Sequence, residues 1–197
     1  MSVSSPSTGN HGYATTAADG SYTVTGLAAG IDYQVCYSAY AATGGSADAL
    51  GYVDQCYDNL PPSGTRTPVP VTLGATRAGI DAVLVGGGAI SGTVRDGGGT
   101  QHGLASVQVS VYSASIGAYG SATTATDGTY TVTGLAAGTD YQVCFYASGA
   151  SGGSSDALGY IDQCYDNQPT SGTPTPVAVT PGATRSGVNA ALGSGLS

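Results

Sequence analysis

The sequence predicts an all-β protein of two tandem antiparallel β-sandwich domains, the first of them lacking its N-terminal strand. Three observations predict this. A long internal repeat divides the 197-residue chain in two. Within each copy, short runs that alternate apolar and polar residues are separated by Gly-rich turns, and nothing is patterned as an amphipathic helix. One copy opens with a segment for which the other has no counterpart.

The repeat comes first because it sets the domains. Residues 12–84 align without a gap on residues 120–192 at an offset of 108, with 53 identities in 73 positions. The anchors are DGSYTVTGLAAGIDYQVCY against DGTYTVTGLAAGTDYQVCF, and DALGYVDQCYDN against DALGYIDQCYDN. They divide the chain into domains 1–85 and 86–197, meeting near Val85-Gly86-Gly87-Gly88. Copy two begins with AISGTVR at 89–95, a turn at 96–99, and LASVQVSVYS at 104–113. Residues 89–109 have no counterpart in copy one, whose residues 2–5 match only the end of that second strand. The tail, GSGLS at 193–197, is similar to the opening of a further first strand, so the cut is displaced from the domain boundary. A missing strand leaves a sheet edge able to pair with another chain, so the chain itself is an expected partner, through strand pairing or fibre assembly.

In copy two the pattern predicts strands near 89–95, 105–113, 120–126, 129–133, 140–148, 159–164, 175–180 and 184–192. VQVSVY and YTVTGL alternate apolar and polar residues. Asp127-Gly128 marks a tight turn, and GLAAG at 134–138 a second one whose Leu135 plugs the end of the core. Residues 148–156 form a polar loop, and 166–176 an extended connector in which proline withholds ladder donors.

Composition excludes several function classes. Gly numbers 33, Pro 9, and Trp is absent. The 12 acidic residues are all Asp, the 4 basic ones all Arg, and the net charge is −8, which argues against nucleic acid as a partner. No apolar run approaches the ~18 residues that span a bilayer, so no membrane association is expected. The start, MSVSS, has neither the basic nor the apolar segment of a signal peptide. An export signal outside this chain, or a chain excerpted from a longer protein, is therefore expected.

That expectation follows from the cysteines. Cys36 and Cys56, and then Cys144 and Cys164, lie 20 residues apart in each copy. Each pair most simply closes a disulfide within its own copy, worth roughly 3 kcal/mol by loop closure. Zinc would need four close Cys or His ligands, and His11 and His102 are the only histidines. No cofactor is expected, and the localisation implied is secreted or cell-surface.

Other candidate sites are weaker. Tyr52, Tyr57, Tyr160 and Tyr165 flank the second cysteine of each copy and are candidates for stacking sugar rings, whereas Tyr22, Tyr33, Tyr130 and Tyr141 read as core. Asp54, Asp58, Asp162 and Asp166 have the position of paired carboxylates, which in glycoside hydrolysis stand ~5–9 Å apart, but read better as turn caps. Asp162, Asp166 and Asn167 form a weak calcium candidate, since calcium takes six to eight oxygens; an Asx-type turn explains them better. The histidines are not repeated between copies, sit in Gly-rich turns and read as exposed loop residues rather than as a catalytic base.

The pattern SGTV, D, GLASVQVSVY and ATTATDGTYTVTGLAAGTDYQVCF resembles the carboxypeptidase regulatory-like domain. It is also similar to collagen-adhesin B-type (Cna B-type) repeats and to the starch-binding-like, prealbumin-type sandwich. TDGTYTVTGLAAG is its most specific part, and GYIDQCYDN with TPVAVTPGATRSGVNAAL is similar to a subgroup of secreted actinobacterial proteins. The resemblance spans nearly all of copy two and most of copy one. It implies Ig-like or prealbumin-like domains of seven strands, used as accessory, spacer or adhesive modules without catalysis. Two departures matter. The isopeptide bond of adhesin repeats needs Lys, and starch-binding modules stack sugars on Trp; the chain has neither residue. The expected function is a structural or spacer repeat, possible as a fibre or stalk subunit, and the alternative is a module that binds polysaccharide or another surface ligand.

Overall fold

A computed structural model describes residues 1–98 and 101–195. The chain is all-β and falls into two compact units, Met1–Val85 and a second from Gly86 onward.

The first unit contains β1 (Ser2–Ser4), β2 (His11–Tyr13), β3 (Gly30–Tyr37), β4 (Gln55–Cys56) and β5 (Val69–Val71). They form one antiparallel sheet of order β2-β1-β3-β4, with β5 also on β3. The period of two in β3 drives Tyr33, Val35 and Tyr37 into the core beside Val3, Val69 and Ile80.

The second unit contains β6 (Gly88–Asp96), β7 (Gln108–Ser113), β8 (Ala118–Thr123), β9 (Thr129–Leu135), β10 (Gly138–Tyr146), β11 (Gln163–Cys164), β12 (Gln168–Pro169), β13 (Val177–Val179), β14 (Thr184–Arg185) and β15 (Ala190–Leu192). One sheet has the order β12-β11-β10-β7-β8 with β13 on β10, and the other has β14-β6-β15 with β9 on β6. A single buried cluster joins Ile90, Val94 and Val132 of one sheet to Val109, Val111, Val143 and Phe145 of the other. Leu135 closes that cluster at 2 % exposure.

The small sheet is mixed, which corrects the purely antiparallel expectation. β6 runs antiparallel to β9 but parallel to β14 and β15. The chain leaves the large sheet after β13 and crosses to the small one, and this crossover brings the closing strands in alongside the opening one.

Several strands are shorter than their sequence pattern. The expected 159–164 reduces to Gln163–Cys164, because Tyr160 bridges to Ser194 and the Ile161 N–H donates to the Gly193 carbonyl instead. The expected 175–180 keeps only Val177–Val179, framed by Pro176 and Pro181. The expected 184–192 is split around Gly187 at φ 78°. The expected 120–126 stops at Thr123, because Thr124 turns inward. Its Oγ1 donates to the Leu104 carbonyl at 2.6 Å and accepts the Val107 N–H at 2.9 Å. The turn expected at 96–99 and the first-strand opening expected at 193–197 lie partly outside the described residues.

Candidate functional site

In both units the second cysteine arrives on a two-residue strand directly opposite the first, Cys36 facing Cys56 and Cys144 facing Cys164. Each pair is bonded, with an S–S distance of 1.98 Å. Disulfides of this kind persist in oxidising compartments.

A single 3-10 turn follows each second cysteine, at Tyr57–Asn59 and Tyr165–Asn167. Asp58, Asn59, Asp166 and Asn167 all have positive φ, between 58° and 68°. Asp and Asn tolerate this left-handed backbone better than other side chains, which accounts for the repeated YDN. Asp166 accepts the Thr175 hydroxyl at 3.2 Å, as Asp58 accepts that of Thr67. Asp162 points elsewhere and accepts the Ala147 N–H at 2.7 Å, as Asp54 accepts that of Ala39. The weak calcium trio is thus divided among separate turn contacts. Among the described residues no three His, Cys or Asp side chains converge.

The four tyrosines expected to stack sugars are placed differently. Tyr160 is only 9 % exposed, donates to Asp156 at 3.1 Å and accepts the Ser155 N–H. Tyr52 makes the equivalent bonds to Asp48 and Ala47. Asp156 also takes the N–H groups of Gly152 and Gly153, which hold its carboxyl below the ordinary carboxylate range, and burial raises the Tyr160 phenol. Tyr57 and Tyr165 are half-buried against their own cores. All four fix loops or pack on the core.

Sequence reasoning missed three features. First, Asp32 and Asp140 are hubs. Asp140 accepts the Ser113 and Ser115 hydroxyls and the Ser115 N–H, and Asp32 does the same with Ser5 and Ser7. Those bonds, the first serine's foremost, lower both carboxyls. The signal was the S-x-S pair present in each copy. Second, Tyr112 and Tyr119 are cross-strand partners at the exposed end of the β7–β8 hairpin, 44 % and 62 % exposed; strand alternation around that hairpin could have found them. His11 and Tyr13 stand edge to face on the corresponding strand of the first unit, 5.8 Å between centroids.

Third, the first unit carries an open groove of about 570 Å³. Its walls are residues 20–27 on one side and residues 74–81 on the other, with Val3, Tyr33 and Val35 on its floor. Comparison with family models, characterised proteins and solved structures finds no match to this chain.

Proposed function

We propose that the chain is a non-catalytic structural or spacer module of a secreted or cell-surface protein, built from two Ig-like or prealbumin-like sandwiches. The observation that carries this reading is the fate of the repeated polar side chains. Asp32, Asp48, Asp54 and Asp58, and their counterparts Asp140, Asp156, Asp162 and Asp166, each accept hydrogen bonds from a neighbouring turn or loop. Repetition has preserved scaffolding, and a disulfide in each unit adds the crosslink expected of a protein working outside the cell.

One observation favours the alternative, a carbohydrate-binding module. Tyr112 and Tyr119 stand side by side on an exposed sheet face, and paired aromatic faces suit sugar rings. Calorimetric titration against a panel of soluble polysaccharides separates the readings. No saturable heat is expected. Saturable binding that is lost in Tyr112→Ala would replace the structural reading with the carbohydrate one.

A further inference from the structure

The groove has a built counterpart in the same chain. In the second unit the equivalent space is filled by β6. Ala89, Ile90 and Val94 of that strand are all 0 % exposed, enclosed by Tyr130, Val132, Leu135, Val188 and Leu192. The corresponding residues of the first unit are Tyr22, Val24, Leu27, Ile80 and Leu84. Four of these five are identical, and Ile80 replaces a valine. Tyr22, Val24, Leu27 and Leu84 are half-buried where their counterparts are buried.

The backbone shows the same vacancy of partners. In the second unit β6 joins β9 on one side and β14 and β15 on the other. In the first unit residues 21–27, 76–77 and 82–84, which occupy the corresponding positions, belong to no strand. The segments nonetheless keep their places. Val24 and Leu27 lie against Gly12 as Val132 and Leu135 lie against Gly120, and the Tyr22 hydroxyl donates to the Ile80 carbonyl as Tyr130 donates to that of Val188.

We propose that this groove is a strand-acceptor site, and that its occupant is an extended polypeptide strand with the pattern of Gly88–Asp96. The side-chain requirements follow from β6. Isoleucine and valine four residues apart fill the apolar floor. Glycine is required at two positions: a Cβ on Gly88 would stand 2.5 Å from the Thr180 carbonyl, and one on Gly92 would run into that of Val188. The strand pairs antiparallel to residues 21–27 and parallel to residues 82–84, following the register of β6. Residues directly after 84 cannot serve, because a parallel neighbour needs a crossover of about a dozen residues. Nor can β6 of a folded second copy serve at any gain, since it would vacate an equivalent groove to fill this one.

The test is titration of the 197-residue protein with a synthetic peptide, GGGAISGTVRD, followed by calorimetry and amide hydrogen exchange. Saturable 1:1 binding is expected, with slowed exchange at residues 21–27 and 82–84 and none added in the second unit. The same peptide with valine at the position of Gly92 is expected to bind at least ten-fold more weakly. No saturable binding, equal binding of the two peptides, or protection mapping elsewhere would overturn the proposal. So would concentration-dependent association of the protein alone that slows exchange at residues 21–27, because a second copy would then be the occupant.

Discussion

The two units share most of their sequence and differ in whether a strand fills the space between the same two walls. In the second unit residues 129–135 form β9, and Tyr130, Val132 and Leu135 are 4 %, 2 % and 2 % exposed. In the first unit the nearly identical residues 21–27 form no strand, and the same three side chains are only half-buried. β-propensity is therefore not what makes β9 a strand. The partner is, because a strand exists through its ladder and through what it packs on. Seven residues of one pattern take two secondary structures in one molecule.

The largest expected effect follows from supplying that partner in cis. Placing a second copy of residues 87–108 before Met1 gives the first unit its own opening strand. Burying one Ile and one Val contributes roughly 2 kcal/mol each, and ordering the added chain offsets part of it. By calorimetry the lower of the two unfolding transitions should rise by about 10 °C or more, while the upper one stays put. A lower transition that does not move would show that residues 21–27 and 76–84 close the first core without a strand, and the comparison would fail.

How much of this was legible in sequence depends on which interactions set each element. The repeat, the cysteine pairing by position and the inward Leu135 follow from identity and alternation. The strand ends did not, because they are decided by tertiary hydrogen bonds such as those of Thr124 to Leu104 and Val107. The parallel pairing of β6 with β14 and β15 depends on the crossover after β13, which leaves no local pattern. The hydrogen bonds of the tyrosines beside the second cysteine have no local pattern either. Tyr160 is aromatic and repeated, but its hydroxyl is claimed by Asp156 from across a loop.

A second contrast lies at Asp96, which belongs to β6 and has no counterpart in the first unit. Its residue is fully buried, and its carboxylate accepts the N–H and hydroxyl of Ser154 and the N–H of Gly98. These bonds, the Ser154 hydroxyl's first, hold its carboxyl below the ordinary range. Asp96→Ala strands two backbone donors and should destabilise the second unit by about 2–3 kcal/mol, lowering only the upper transition. The pH dependence has a definite sign. A carboxyl depressed in the folded state stabilises fully above its unfolded value of about 3.9 and loses that contribution as pH falls through the folded value. Asp19, Asp32 and Asp48 are lowered in the first unit, as are their counterparts Asp127, Asp140 and Asp156 in the second, so Asp96 is the lowered carboxyl without a match. Acidification below about pH 4 should therefore lower the upper transition more than the lower one. Asp96→Asn should remove that extra dependence, and a gap that stays constant down to pH 2 would refute this.

The smallest effect concerns the one aromatic core position where the units differ, Tyr37 against Phe145. The ring pairs are alike: Tyr22–Tyr37 and Tyr130–Phe145 both meet edge to face at 5.9 Å. Only the hydroxyl is added. Tyr37 donates to the Ile80 carbonyl at 2.6 Å and its oxygen lies 2.9 Å from that of Tyr22. Burial raises the Tyr37 phenol, so it stays neutral and serves as a donor across the physiological range. A carbonyl has two lone pairs, so Ile80 can accept from both tyrosines, and losing one leaves Tyr22 in the arrangement of Tyr130. Tyr37→Phe should thus cost less than about 1 kcal/mol. The reverse exchange is not symmetrical. Phe145 is 0 % exposed in a core closed by β6, whereas Tyr37 is 7 % exposed and meets Tyr22 and Ile80, which belong to the walls of the open groove. Phe145→Tyr must push an oxygen into filled space and should cost about 1–3 kcal/mol. Equal, small effects in both directions would mean that the second core has room for the hydroxyl, and that the open groove is not what allows tyrosine at position 37.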